Sequence, residues 1–350
     1  MQQRNHPLSK LPALILAVIF AFLNASCSIT PITPEDYLKS KPGSREQEAG
    51  AKEIISVILE PEGSNKISGS DNLAISPGNG SSNENIKPLT IGVIPTQSFK
   101  EQQQMIQPLD EYLEKNLETE VNFQVASDYK QVVKWLVDGK IDMAYVTAVS
   151  YLEALEAGAD IEPLVAPINK FTGRPWYRAA IIVEANSNIQ TLQQLRGKRF
   201  GFVNKYSTSG YLVPFAAFAK LGINPEQEFK QTAYLGTHSK ALAALENGDV
   251  DAVATNISYY LKQQKMGKLK AEDFRVIWES PPIPPSLIVV SQKLSTDIRK
   301  KIKISFLNAP EGIEDIYGGE SAGYTSVGNA QYTRIKALRA NLELKAEVAQ

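Results

Sequence analysis

Residues 198–214 read KRFGFVNKYSTSGYLVP. Lys198 to Val203 forms the apolar run of a buried strand, and Tyr211 to Leu221 has helical spacing that stops at Gly222. Between them lies a polar turn with three successive hydroxyl residues, Ser207, Thr208 and Ser209, followed by Gly210. A strand that turns directly into a helix is the repeating unit of an α/β sheet. The backbone N–H groups at a helix start lack partners and carry the positive end of its dipole, so this turn can also hold an anion. A plain N-cap needs one hydroxyl; three in a row exceed that need.

The alternation extends in both directions. Upstream, strands are expected at Leu89–Ile94, Val121–Val125, Ile141–Val146 and Ala179–Val183, with helices at Glu101–Leu117, Lys130–Leu136 and Ser150–Glu156 and a short one at Leu192–Leu195. Downstream, strands are expected at Val250–Thr255, Phe274–Trp278 and Leu287–Val290, with helices at Ala241–Glu246, Tyr259–Gln264 and Thr296–Leu307. Pro281 to Ser286 (PPIPPS) reads as a stiff connector, and Gln331–Glu343 as an amphipathic tail that folds back on the first lobe. No internal repeat is visible. The pattern predicts two α/β lobes, each a mainly parallel sheet flanked by helices, with two crossings near Trp176–Val183 and Pro281–Val290. Residues 88–178 plus 282–350 would make lobe 1, and 179–281 lobe 2.

A second helix start repeats the first. Gly236-Thr237-His238-Ser239 precedes Lys240–Glu246 and offers hydroxyls, an imidazole and free N–H groups. Asp128-Tyr129 and Trp176-Tyr177 supply aromatic rings with polar tips, which either line a cleft between lobes or are half-buried packing. Asp249 and Asp251 read as solvated strand-end residues.

Composition narrows the function. The 350 residues are 43% hydrophobic and 21% charged, with 37 basic against 38 acidic side chains, which is ordinary globular composition. Near-neutral charge argues against a dedicated nucleic-acid binder. One cysteine and two histidines, His6 and His238, leave no disulfide framework and no Cys-rich metal site, so neither metal nor cofactor is expected. No GxxxxGK[ST] and no GxSxG is present.

The N-terminus reads as an export signal. Arg4 and Lys10 precede an apolar run, Leu11–Leu23, too short to span a bilayer comfortably. It ends in Asn24-Ala25-Ser26-Cys27, similar to the lipobox of bacterial lipoproteins, although Asn24 stands where leucine is usual. Residues 1–26 are thus expected to be a signal peptide and Cys27 a lipidated first residue, with ordinary cleavage nearby as the alternative. Residues 27–87, rich in Gly, Ser, Asn and Pro toward their end, read as a flexible linker. A tether of roughly 60 residues has an r.m.s. reach of about 45 Å.

Taken together, these stretches resemble the periplasmic phosphate/phosphite/phosphonate-binding proteins of ABC transporters. The resemblance runs from about Leu89 to Leu342 through Gly92-Val93-Ile94-Pro95, Asp128-Tyr129, Gly139-x-Ile141-Asp142-x-Ala144, Ser207–Pro214, Gly236-Thr237-His238 and Gly248-x-Val250-Asp251-Ala252. It implies a two-lobed periplasmic-binding-protein fold of type II that closes on a small oxyanion, a non-enzymatic receptor, monomeric, with a membrane permease as partner. It further implies that Ser207, Thr208, Ser209 and His238, beside Thr237, hold phosphorus-bound oxygens, with Tyr129 and Tyr177 contributing from across the cleft. Members that take aminoalkyl-phosphonates carry carboxylates at two positions that correspond here to Ser258 and Ser286. Serine pairs poorly with an ammonium, so phosphate, phosphite or a phosphonate with an uncharged tail is expected, with weak rejection of sulfate. Other readings are a sensory lipoprotein of the same fold, a binder of a larger organic ligand, and an enzyme using His238.

Overall fold

The computed structural model describes residues 87–170, 173–311, 313 and 321–348. The expected signal peptide, Cys27 and the linker up to residue 86 lie outside the described residues, as does His6. Among the described residues no helix is long and apolar enough to cross a membrane.

The chain builds two sheets. The first contains β1 (Leu89–Val93), β2 (Val121–Val125), β3 (Met143–Val146), β4 (Ile161–Asn169), β10 (Leu287–Ser291) and β11 (Ser321–Ser326), in the order β11-β4-β10-β3-β1-β2. The second contains β5 (Ala179–Glu184), β6 (Arg199–Phe202), β7 (Gln231–Tyr234), β8 (Ala252–Asn256) and β9 (Phe274–Glu279), in the order β7-β6-β8-β5-β9. Around the first lie α1 (Phe99–Leu117), α2 (Tyr129–Val137), α3 (Ala148–Glu156), α7 (Thr296–Leu307) and α8 (Thr333–Val348). With the second go α4 (Val213–Lys220), α5 (His238–Glu246) and α6 (Ile257–Lys265). This is the two-lobed periplasmic-binding-protein architecture. The inner strands β3, β5 and β10 are apolar along almost their whole length and buried on both faces, as strands covered by helices must be. The tail folds back as expected: Arg339 of α8 pairs with Glu153 and Glu156 of α3, at 2.7 and 3.1 Å.

The sheets are mixed, not mainly parallel. β1 runs parallel to β2 and β3, and β6 parallel to β7 and β8. The strands that bring the chain in from the other lobe arrive in the opposite sense. β5 is antiparallel to β8 and β9, β10 to β3 and β4, and β11 to β4. The two crossing segments pair with each other: Tyr177 and Ile283 exchange backbone hydrogen bonds of 3.2 and 2.9 Å. Beside them, the Arg178 guanidinium donates to Ser280 O at 2.7 Å.

One anchoring device occurs in both sheets. Asp142 Oδ2 accepts from Thr90 N at 2.8 Å, tying the start of β3 to β1. Asp251 Oδ2 accepts from Arg199 N at 2.7 Å, tying the start of β8 to β6, and its Oδ1 accepts from the Arg199 guanidinium at 2.7 Å. Asp251 is therefore a structural clamp and not merely a solvated strand end. Burial alone would raise the Asp251 carboxyl pKa, but the Arg199 side chain and backbone N–H, with Lys198 behind, hold it below its usual value. A carboxylate depressed in the folded state stabilises it above the unfolded pKa and ceases to do so as pH falls. Asp251→Ala should destabilise by about 1–2 kcal/mol near pH 7, after discounting for partial exposure. That penalty should shrink below about pH 4. Denaturant melts at pH 7 and pH 3 check both statements; an equal penalty at both would contradict the clamp.

Candidate functional site

The segment 203–214 is wound more widely than a helix start. Leu212 N bonds Ser207 O at 3.1 Å and Val213 N bonds Thr208 O, each spanning five residues, so Thr208–Leu212 is a π turn that runs into α4. Ser207 caps it, its Oγ accepting from Gly210 N at 3.0 Å. Ser207, Thr208 and Ser209 are all buried. Gly210 is required by space: a Cβ there would lie 2.5 Å from both Cβ and Cγ2 of Val203.

The second helix start lies in the same sheet's loop region. Thr237 caps α5, its Oγ1 accepting from Lys240 N at 3.1 Å. His238 is buried, and its Nδ1 lies 2.9 Å from Thr255 Oγ1 and accepts from Asn256 N at 3.3 Å. A backbone amide can only donate, so Nδ1 carries no proton and the neutral ring holds its proton on Nε2. Burial pushes the His238 pKa down to about 4, which keeps the ring neutral near pH 7.

Lobe 1 closes directly on these turns. Thr147, the cap of α3, donates through Oγ1 to Tyr206 O at 2.7 Å. Val149 N donates to Thr208 Oγ1 at 3.2 Å, and His238 N to Thr96 O at 3.0 Å. Asn169 Nδ2 donates to Ser258 Oγ at 3.2 Å. At the rim Glu101 of α1 forms an ion pair with Lys268. Tyr129, the first residue of α2, is wholly buried. Burial drives its hydroxyl pKa far up, the Tyr177 phenol adds to that, and the Ser207 hydroxyl opposes it; among the described residues no group reaches hydrogen-bond geometry. The Tyr129 hydroxyl is thus a neutral donor without an acceptor.

Of the residues expected to bind, Tyr129 is acted on by Tyr177 and Ser207, Thr208 bonds Val149 of lobe 1, and His238 bonds Thr96 of lobe 1. Ser209 follows Thr208 in the same buried turn, and Thr237 caps the helix that His238 opens. Ser258 is engaged by Asn169, and Ser286 is half-buried just before β10. Tyr259, not singled out in the sequence, is the α6 residue against His238, with ring centroids 6.0 Å apart. Tyr332 was not singled out either; it is buried, its hydroxyl has no partner among the described residues, and it packs edge-on against Tyr151. The helical spacing of both tyrosines conceals them as core. Two cavities lie elsewhere. One of about 350 Å³ is lined by Tyr112, Lys301 and Ser305, the other of about 480 Å³ by Glu184, Lys198 and Asp251, and neither includes an expected binding residue. Among the described residues no group of three or more His, Cys, Asp or Glu side chains could hold a metal ion.

A family model described as ABC transporter, phosphonate, periplasmic substrate-binding protein matches residues 91–332. The chain belongs to this family. The binding protein is 33% identical over 230 residues to the phosphonates-binding periplasmic protein of Escherichia coli, covering 64% of this chain and 67% of that one. It is 30% identical over 226 residues to the phosphate-import protein PhnD of Mycolicibacterium smegmatis, covering 62% and 70%. A binding component of an ABC phosphonate transporter from Pseudomonas aeruginosa superposes with a TM-score of 0.66 at 25% identity, covering 72% and 85%. PhnD1 of Prochlorococcus marinus, solved with methylphosphonate, shares the fold with a TM-score of 0.66 at 19% identity, covering 73% and 98%. The family is periplasmic and consists of substrate-binding components of ABC transporters, not enzymes.

Gly210→Ala tests the packing of the binding turn. The added carbon meets the Val203 β-carbon, which no rotamer change can move, so the binding protein should lose about 1–3 kcal/mol of stability. A melting curve equal to the wild type's would contradict the close approach.

Proposed function

We propose that this chain is a receptor that captures a small phosphorus oxyanion between its lobes and delivers it to an ABC transporter permease. The ligand class is phosphate, phosphite or a simple phosphonate with an uncharged tail. What supports this reading is the hydrogen-bond polarity of the site. Ser207 Oγ accepts from Gly210 N, Thr208 Oγ1 from Val149 N and His238 Nδ1 from Asn256 N. Each hydroxyl oxygen accepts one backbone N–H and keeps its own proton to give, and the single Nδ1 lone pair of His238 is taken, which leaves its proton on Nε2. The Tyr129 hydroxyl adds a further donor. A buried set of donors is complementary to an ion whose oxygens all accept.

Binding then follows the geometry. The anion docks on the π turn and the start of α5, where hydroxyls gather at the positive ends of two helices. Closure about the paired crossings at Tyr177 and Ile283 brings α2 and α3 over it and removes it from water, where hydrogen bonds count for more.

Thermal unfolding of the purified protein, refolded to strip bound ligand, tests the reading with phosphate, phosphite, methylphosphonate, 2-aminoethylphosphonate and sulfate added separately. A ligand at about 100 times its dissociation constant stabilises by about 2.7 kcal/mol. One of the first three should give the largest shift, 2-aminoethylphosphonate a small one, and Thr208→Val should lose most of the effect. Any step in the shift near neutral pH should follow the second ionisation of the ligand and move with it from one ligand to the next, because His238 stays neutral there. A largest shift with the amino-ended phosphonate, or an unaffected Thr208→Val variant, would sink the site.

The same proposal includes a lipid on Cys27 that holds the receptor at the membrane. The small residues before this lone cysteine support it. The wild-type protein should fractionate with membranes and Cys27→Ser should be released; a soluble wild type would exclude the anchor.

A further inference from the structure

We infer that Thr96 is a ligand contact supplied by lobe 1, its hydroxyl donating to an oxygen of the bound anion. The inference rests on the oxyanion reading above and adds to it a residue outside both hydroxyl-rich turns.

Thr96 sits three residues beyond β1, on the loop that follows a central parallel strand. Both of its backbone polar groups are committed. Its N–H donates to Gln102 Oε1 at 3.3 Å, and its carbonyl accepts from His238 N at 3.0 Å. Gln102 is itself wholly buried on α1 and spends its other end on Ile94 O at 2.7 Å. A buried glutamine with both ends engaged fixes the loop on each side of Pro95. The loop is therefore held against the first residue of α5.

The hydroxyl is the exception. Thr96 is 1% exposed, and Oγ1 is shielded from solvent with no hydrogen-bond partner among the described residues. A threonine hydroxyl ordinarily finds a nearby carbonyl, and valine would fill the same space without an unsatisfied group. Here the orphan belongs to the residue whose carbonyl takes the N–H of His238, and Tyr129, also in lobe 1, has a second such hydroxyl. An unsatisfied buried donor at an anion site is satisfied when the anion arrives.

Because Thr96 belongs to lobe 1, it meets a ligand already docked on lobe 2 only as the lobes close. Its loss should show mainly as faster release.

The test is calorimetric titration and stopped-flow release with phosphate, phosphite and methylphosphonate, using the wild-type protein, Thr96→Val and Thr96→Ser. Thr96→Val should weaken the binding anion by about 10- to 100-fold, mostly through the off-rate, and Thr96→Ser by less than about 3-fold. Without ligand, Thr96→Val should melt at or above the wild-type temperature, since it removes a group that is unsatisfied in the empty protein. Wild-type affinity in Thr96→Val overturns the assignment. So does an equal loss in Thr96→Ser, which would point to the methyl group, or a lower melting temperature of empty Thr96→Val, which would point to an internal role. A wild-type protein that binds none of the three anions overturns the oxyanion reading itself, and this assignment with it.

Discussion

Backbone N–H groups of lobe 1 and lobe 2 each donate to a polar side chain of the candidate site, and much of the site follows from that. Gly210 N takes Ser207, Val149 N takes Thr208 and Asn256 N takes the Nδ1 of His238. Each bond fixes a side-chain position or a tautomer and leaves the group with a proton to give. The His238 case is the most constrained, because an imidazole could otherwise present either nitrogen. Burial completes the constraint by holding the ring neutral, so the site contributes directed dipoles and no net charge from this residue. Donors fixed before a ligand arrives need no reorganisation when it binds.

Such a site depends on scaffolding that keeps unsatisfied groups in place. Buried orphans cost free energy, and they persist only where the surroundings over-determine them. Gln102 does this for Thr96, and the close approach of Gly210 to Val203 does it for the hydroxyl turn. The aspartates at the starts of β3 and β8 fix the strands beneath. They repeat one another in chemistry, each accepting the N–H at the start of the neighbouring parallel strand. The two sheets thus share a local solution even though no repeat is visible in the sequence.

Local periodicity and turn chemistry carried the strand and helix alternation, the two hydroxyl-rich helix starts and the return of the tail onto lobe 1. What was not legible depends on partners distant in sequence. β4 contains Pro163 and Pro167, which read as strand breakers; each falls at a shift of register against β10 or β11, where a missing N–H is tolerated. The direction of β5 and β10 follows from the crossings, not from their own residues. Helix α1 runs through Pro108, which is exposed, so the carbonyl it leaves unbonded can turn to water. Thr96 carried no signal beyond its position after a strand. Its significance lies in contacts with Gln102 and His238, the latter 142 positions away.

The start of α6 brings two neighbouring residues to the candidate site. Alignment by motif put Ser258 opposite the ligand in place of a carboxylate. In the folded chain Ser258 Oγ accepts from Asn169 Nδ2, and the next residue, Tyr259, lies beside His238. Burial raises the Tyr259 hydroxyl pKa, the Glu101 carboxylate adds to that, and the Ser239 hydroxyl opposes it. A phenol held neutral here can donate, but it cannot neutralise an ammonium. Whichever of the two residues faces the ligand, then, the carboxylate is missing and the polarity of the site is unchanged. Glu101 is committed at the rim to Lys268 and to the Ser98 hydroxyl, and does not supply the missing acceptor. A proton on the ligand would have to be shared with a hydroxyl already accepting from the backbone, so the fully ionised form of the anion is the one this arrangement favours.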